Sequence, residues 1–133
     1  MNAIAMPWIR RAFVCACALL GGCAAAPQTG LSEVMQRPAE SALLAGLRAY
    51  DDAQYADAER ELSKALATGL VSAKDRATAL KHLAFVYCTS GRVAACESSF
   101  RAARVADAAF VLTRAEAGHP VWGPVYKRTV GPL

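Results

Sequence analysis

The chain of 133 residues carries 15 Lys and Arg against 11 Asp and Glu, which gives a net charge of +4 at pH 7. Two of the positive charges, Arg10 and Arg11, lie in an N-terminal segment that we expect to be removed, which leaves about +2 on about 110 residues. An excess this small argues against a nucleic-acid-binding protein, and it gives only weak support for contact with anionic surfaces such as cell wall or lipid headgroups. The length predicts one domain, and the alanine-rich composition favours helices.

Residues 1–22 have the layout of a bacterial export signal. Arg10 and Arg11 precede an apolar run, residues 12–20, that is too short to span a bilayer as a mature helix. Residues 20–23, Leu-Gly-Gly-Cys, close that run. The segment resembles the signals of bacterial lipoproteins, and this resemblance implies cleavage before Cys23, acylation of its sulfur and nitrogen, and stable anchoring by several acyl chains.

The residue after the lipidated cysteine indicates which membrane holds the anchor. Ala24 stands there rather than Asp. By resemblance to the lipoproteins of bacteria with two membranes, this implies the outer membrane, with the domain facing the periplasm. An ordinary secretory signal cleaved near residues 24–26 is the alternative.

Cysteine usage fits an oxidising compartment. Cys15 and Cys17 leave with the signal and Cys23 is the lipid site, so Cys88 and Cys96 remain as a pair. We expect them to form a disulfide, which requires that a helical hairpin place their Cα atoms within about 7 Å. The alternative is two small thiols that are buried between helices as apolar residues.

A tether separates the lipid site from the folded domain. Residues 23–38 contain two prolines and a glycine and show little periodicity, as is typical of a flexible linker. Pro38 suits the first turn of a helix. We therefore expect a signal over residues 1–22, a lipidated tether over 23–38 and an all-α domain over 39–133.

Four apolar stripes at helical spacing follow, and they form two helical hairpins. The second stripe ends at Gly69, a residue typical of helix C-termini. Ser72 and Asp75 resemble a capping box at the start of the third helix. Residues 90–92, Ser-Gly-Arg, form the turn between the third and fourth helices.

The two hairpins align with each other when residues 54–58 are set against residues 92–96. Residue 92 lies 38 positions after residue 54, so the two hairpins repeat with a period of 38. With a small residue at each helix crossing and a large apolar one four positions later, they resemble the tetratricopeptide repeat, whose usual period is slightly shorter, about 34 residues. Matches to its signature positions are Gly46, Ala58, Leu62 and Ala65 in the first hairpin, and Leu83, Ala84, Tyr87, Gly91, Cys96, Phe100 and Ala103 in the second. Ala45 is smaller than the expected Leu, and Ala108 replaces the expected Pro. Any alanine-rich four-helix bundle is the alternative.

Two repeats are too few to bury a continuous core, so a further segment must cover the second hairpin. Thr113 and Glu116 have capping-box spacing and predict a short helix that ends at Gly118. Residues 119–126 contain two prolines and predict an extended tail. Trp122 and Tyr126 make this tail either a structural cap or a partner-recognition element, and we expect the cap, with Trp122 buried against Phe100 and Phe110.

Several chemistries are disfavoured by spacing. Glu116 and His119 have the spacing of half a carboxylate metal site, but the motif occurs once, and His82 and the two cysteines lack zinc spacing. No nucleophile-elbow pattern surrounds Ser98 or Ser99. We therefore expect no metal, no cofactor, no small-molecule substrate and no catalysis, and a small hydrolase using His82 or His119 is the remaining enzymatic alternative.

Exposed charges and the aromatic tail are the candidates for partner binding. Helical spacing leaves most charged side chains on solvated faces, yet repeat folds use their first helices to bind peptides. The candidate partner-binding residues are Arg48, Asp52, Lys81, His119, Trp122 and Tyr126.

A closer resemblance covers about residues 40–126. It rests on Asp75-Arg76-Ala77, Lys81-His82-Leu83-Ala84-Phe85, Tyr87-Cys88, Ser90-Gly91-Arg92, Cys96, Phe100-Arg101, Ala115-Glu116-Ala117-Gly118-His119-Pro120 and Trp122-Gly123-Pro124-Val125. These segments resemble the TssQ family, small tetratricopeptide-like lipoproteins associated with type VI secretion systems. The resemblance implies a non-enzymatic scaffold or accessory factor that binds a protein of that secretion assembly. The alternative is an adaptor for a cell-wall hydrolase or for outer-membrane or pilus assembly.

The lipid anchor is directly testable. Cys23→Ser removes the thiol that acylation requires, so we expect the variant to lose incorporation of a fatty-acid probe and either to leave the membrane fraction or to accumulate unprocessed. Metabolic labelling of both proteins makes the measurement. Equal labelling of variant and wild type would contradict the lipoprotein assignment.

Overall fold

A computed structural model describes residues 37–131, and the regular structure within this range is all α-helical. The export signal, Cys23 and tether residues 24–36 lie outside the described residues. The helices are α1 Pro38–Asp51, α2 Tyr55–Thr68, α3 Ala73–Thr89, α4 Val93–Ala106, α5 Arg114–Ala117 and α6 Gly123–Val130. Helix α1 packs along α2, α3 packs along α4, and α2 joins the two hairpins through contacts with α3.

The predicted alignment of the two hairpins holds in the structure. Helices α2 and α4 are both 14 residues long and begin at Tyr55 and Val93. The turns before them also correspond bond for bond. Gln54 N–H donates to the Ala49 carbonyl, and at the equivalent place in the second hairpin Arg92 N–H donates to the Tyr87 carbonyl, both at 2.8 Å.

Left-handed backbone is required at one position of each turn. Gly91 has φ +75° in the second hairpin, and Ala53 has φ 57° at the equivalent position of the first. A Cβ atom is disfavoured there by about 1 to 2 kcal/mol. The first turn therefore keeps the geometry of the second at a steric cost that Gly91 avoids.

Small residues let the helices of each hairpin cross closely. Ala58 and Cys96, at equivalent crossing positions, are fully buried. In the first hairpin, a Cβ atom added to Gly46 would lie 2.7 Å from Cγ of Leu62, so only glycine fits there without a shift. The larger residue four positions after each crossing, Leu62 or Phe100, then fills the space between the helices.

The structure contains the predicted N-terminal caps of α3 and α5 and the predicted glycine at the C-terminus of α2. Ser72 Oγ accepts a hydrogen bond from Asp75 N–H at the start of α3. Thr113 and Glu116 form a complete capping box at the start of α5. Gly69 follows α2 in the left-handed conformation.

The prediction of an extended tail over residues 119–126 is wrong. Residues 120–122 form a turn, which a hydrogen bond from Gly123 N–H to the His119 carbonyl closes at 2.9 Å. Helix α6 begins at Gly123, with Pro124 in its first turn. Proline at that position lacks an N–H group that the helix would leave unpaired anyway, and its fixed φ suits the helix. Pro124 would disfavour the interior of a helix, but in the first turn of α6 it stabilises the helix start.

The second hairpin is closed covalently between α3 and α4. Cys88 and Cys96 are joined by a disulfide, with their Cα atoms 5.2 Å apart and eight residues apart in the chain. Both side chains are buried. The bond spans the Gly91 turn and holds the end of α3 against the first turn of α4.

Removing this disulfide should destabilise the domain through the unfolded state. We expect the double variant Cys88→Ala/Cys96→Ala to lose about 2 to 3 kcal/mol in urea unfolding, the entropy expected for a short closed loop. Dithiothreitol should lower the stability of the wild type and leave the double variant unchanged. Two free thiols in the unreduced protein, detected by mass spectrometry, would show that the buried-thiol alternative is right.

Candidate protein-binding site

A group of aromatic rings in contact joins α1, the start of α2, α3 and the C-terminal tail, which we define as residues 113–131. At its centre Tyr50, His82 and Phe85 contact one another pairwise. We call this group the aromatic row. Each of its rings lies within about 6 Å of a neighbour in the row, a separation typical of interacting aromatic pairs. The members of the row are Tyr55, which is exposed, Tyr50, His82, Trp122 and His119, which are half-buried, and Phe85, which is buried.

Tyr50 and His82 form the centre of the row. Their ring centroids lie 5.1 Å apart in an edge-to-face arrangement. His82 Nδ1 donates to the Thr78 carbonyl at 2.8 Å, which fixes the ring. Burial lowers the pKa of His82, so the imidazole is neutral at pH 7 and Nε2 is left as an acceptor. The ring is therefore held in one orientation on the face of α3.

Trp122 brings the tail into the row. Its indole stacks on Phe85 at 4.3 Å and on His119 at 3.3 Å between ring centroids. The indole N–H donates to the Glu116 carbonyl at 2.9 Å. Trp122 is half-buried, so one polar contact and two stacked rings hold a side chain that solvent still reaches.

Glu116 fastens the tail to α3 beside the row. Its carboxylate accepts from Lys81 Nζ at 2.6 Å and from Thr113 N–H at 2.9 Å. Burial opposes the charge, but these donors outweigh burial and lower the pKa of Glu116. Lys81 Nζ also lies 5.7 Å from the centroid of the Phe85 ring. The ion pair links residues 35 positions apart in the chain and is half-buried.

Tyr126 is buried in the core, which removes it from the candidate partner-binding residues. Its side chain is 1% exposed. The ring packs edge to face on Phe100 at 5.3 Å and on Phe110 at 6.2 Å, and its hydroxyl accepts from the Leu112 N–H at 3.3 Å. Tyr126 thus occupies the place expected for Trp122, and the prediction that Trp122 is buried against Phe100 and Phe110 is wrong.

A close backbone approach explains which aromatic residue is buried. A Cβ atom at Gly123 would lie 2.5 Å from the Ala117 carbonyl oxygen, so only glycine lets α6 begin this close to α5. One helical turn later, Tyr126 points into the core and Trp122 is left outside it, over α3.

The remaining sequence candidates divide into two groups. Lys81, His119 and Trp122 meet at the tail end of the row. Arg48 and Asp52 are exposed on α1 and at its C-cap, and no contact joins their side chains to the row within residues 37–131. Both remain candidates for charge contacts beside the row rather than members of it.

Sequence reasoning missed Tyr50, Tyr55 and Phe85 as site residues. Tyr50 and Tyr55 lie on either side of the first turn and approach each other only because the hairpin closes, with ring centroids 5.7 Å apart. The spacing of Lys81 and Phe85, one helical turn apart, was the available signal for a common face on α3.

Other kinds of site are not found in the described part of the chain. Among residues 37–131, no three His, Cys, Asp or Glu side chains are grouped so as to hold a metal ion. In the same range no helix is both long enough and apolar enough to cross a membrane.

The chain was compared with protein-family models, with curated proteins and with solved structures. No protein-family model, no curated protein and no solved structure matches this chain.

The two tail aromatics should differ in their contribution to stability. We expect Tyr126→Ala to lower the free energy of unfolding by about 3 to 5 kcal/mol, as for a large side chain lost from a core. Trp122→Ala should cost only about 1 to 3 kcal/mol, because the indole is half-buried. Urea unfolding of both variants makes the comparison, and Tyr126→Phe, which removes only the hydroxyl bonded to Leu112 N–H, should cost about 1 kcal/mol. A larger loss for Trp122→Ala than for Tyr126→Ala would contradict this placement.

Proposed function

We propose that the chain is an outer-membrane lipoprotein that presents two tetratricopeptide-like hairpins in the periplasm and acts as a protein-binding scaffold or accessory factor of a type VI secretion system. The lipid anchor at Cys23 is supported by the lipoprotein-like signal. The connection with type VI secretion is supported by the resemblance to the TssQ family.

One structural observation carries the proposal. The sequence segments on which the resemblance rests include two that lie far apart in the chain and meet in one place: Lys81 bonds Glu116 at 2.6 Å, and Phe85 stacks on Trp122 at 4.3 Å. These contacts build the tail end of the aromatic row. Some residues that carry the resemblance, such as Phe85, are therefore buried, and others, such as Lys81 and Trp122, lie at the surface beside them.

The chemistry of that surface favours binding of a protein. Half-exposed Tyr and Trp side chains are the residues that most often dominate protein interfaces, because they contribute a large apolar area and a polar group with little loss of entropy. Here Tyr50 and Trp122 are held by neighbouring rings, so a partner would not have to order them. The scaffold is thus preorganised for a partner.

Site-specific crosslinking tests the proposal. We expect a photoreactive amino acid at Tyr55, which lies at the exposed end of the row, to crosslink in living cells to a component of the type VI secretion assembly. The matched control is the same amino acid at Val93, the equivalent first residue of α4, with almost the same exposure of 43% against 42%. Mass spectrometry identifies the products.

Deletion of the gene gives the second measurement. Secretion of the system's own substrates should fall in the deletion strain and return with the wild-type gene. Unchanged secretion would contradict the proposed function. Crosslinking to a cell-wall hydrolase or to a pilus assembly protein would instead favour the adaptor alternative.

A further inference from the structure

Charge is unevenly distributed between the two ends of the described domain. Residues 38–69, which include α1 and α2, contain three basic and six acidic residues, whereas residues 93–131, which include α4 and the tail, contain five basic and three acidic ones. Helix α1 contacts α2 and α3 but neither α4 nor α6. One end of the domain is therefore acidic and the other is basic.

A small cavity lies at the basic end, between the second half of α4 and the last turn of α6. Its volume is about 290 Å³, and it is lined by Arg101, Arg104, Val105, Thr129 and Val130. Small-molecule sites usually have volumes of about 300 to 1,000 Å³ and enclose most of the ligand. Here Val105 is 88% exposed. A cavity this small and open suits one large side chain of a partner better than a small molecule bound by itself.

Arg101 has guanidinium donors that are free for a ligand. Its Nη1 lies 3.9 Å from Glu97 Oε2, which is too far for a hydrogen bond, and its side chain is 58% exposed. The other oxygen of Glu97 accepts from Arg128 Nε at 2.9 Å. One carboxylate therefore serves two guanidinium groups, and it compensates Arg101 only in part.

Arg104 is a fixed cation without a carboxylate partner. Its Nη1 donates to the Phe110 carbonyl at 2.7 Å, which holds the guanidinium in place. Within residues 37–131, no salt bridge joins Arg104 to an acidic side chain. Asp107 follows three residues later, but its Oδ1 accepts from Ala109 N–H at 2.9 Å and so caps the turn after α4. The charge of Arg104 is therefore ordered and left for a ligand.

Arg101, Arg104 and Val105 share one face of α4, because residues three and four positions apart are neighbours on a helix. Two positive charges at this spacing repel each other, and a carboxylate bound between them would relieve the repulsion. Guanidinium groups bind carboxylates through paired hydrogen bonds. Val105 and Val130 in the same cavity gain instead from an apolar group that removes them from water. A matching ligand therefore combines carboxylates with a large apolar side chain.

A protein segment reaches this cavity more readily than a lipid surface does. The proposed lipid anchor precedes α1 in the chain, on the acidic hairpin. Anionic headgroups next to the anchor would meet that hairpin first, where like charges repel them. An acidic segment of a periplasmic protein can approach the basic end directly.

We propose that the cavity between α4 and α6 binds an acidic segment of a protein partner. Carboxylates of the segment bind Arg101 and Arg104, and one large apolar side chain packs against Val105 and Val130. None of the residues that line the cavity is a member of the aromatic row. The inference rests on the proposed function in taking a protein as the ligand, and it adds a second binding surface and the chemistry of the segment bound there.

Fluorescence anisotropy with labelled peptides tests it. The protein is produced from its full-length sequence and purified in a non-ionic detergent, which adds no charge. The probe is a peptide of about nine residues in which a pair of aspartates stands on each side of a central leucine. One comparison peptide has asparagines in place of the aspartates, and the other has serine in place of the leucine. We expect saturable binding of the probe and binding about tenfold weaker for each comparison peptide.

Matched variants locate the binding. Arg101→Gln should weaken the probe about tenfold, whereas Arg114→Gln, which removes the same charge from an exposed position outside the cavity, should leave it nearly unchanged. Val105→Ser should weaken the probe about tenfold but leave the serine peptide unaffected. Val71→Ser, at a similar exposure of 84% on the other side of the domain, should change neither. Arg104 is kept, because its guanidinium also bonds to the backbone, and circular dichroism of each variant checks that the helices are retained.

The outcomes separate this inference from the proposed function. No saturable binding, equal binding of all three peptides, or equal effects of Arg101→Gln and Arg114→Gln would overturn the inference. Displacement of the probe by soluble short-chain phosphatidylglycerol as readily as by unlabelled probe would overturn it in favour of lipid headgroups. Self-association that Arg101→Gln abolishes would overturn it in favour of a second copy of the chain. Crosslinking at Tyr55 and the secretion phenotype of the deletion strain depend on none of the peptides, so the two proposals can fail independently.

Discussion

The burial of Tyr126 at the open side of the second hairpin is the constraint on which the candidate site depends. Two hairpins leave the outer face of α3 and α4 uncovered, and the tail must supply apolar groups there. Tyr126 does so by packing on Phe100 and Phe110. Once α6 is fixed in this register, the preceding residues must return over α3, which is how Trp122 comes to lie on Phe85. The surface is thus a consequence of how the core is closed.

Much of this architecture could be predicted because it rests on local chemistry. The four main helices, the alignment of the two hairpins and the capping box at Thr113 depend on residues a few positions apart, whose spacing is visible in the sequence. The tail was harder. Pro120 and Pro124 both disfavour a helix interior, but only their positions relative to the helix start decide whether they prevent a helix or begin one, and Pro124 begins α6.

The composition of the site could not be predicted because its contacts are long-range. Tyr126 and Trp122 are both large aromatics, and their spacing does not reveal which one enters the core. The decision depends on the approach of Gly123 to the Ala117 carbonyl, a contact that exists only after folding. Likewise Arg48 and Lys81 look equivalent as exposed basic side chains, but within the described residues only Lys81 pairs with a carboxylate of the tail.

The partial exposure of Tyr50, Tyr55 and Trp122, next to the buried Phe85, is unexpected in a domain with so few large core residues. Alanine is the commonest buried residue in the hairpins, and the largest fully buried side chains include Tyr126, Phe100, Leu62 and Leu112. Small domains bury a small fraction of their surface and gain from each large apolar side chain placed inside. Full burial of Tyr50, Tyr55 or Trp122 would therefore have added stability. The second hairpin is held instead by the Cys88–Cys96 disulfide and by the Lys81–Glu116 ion pair. We interpret these ordered aromatic rings, left at the surface of so small a core, as a surface kept for a partner.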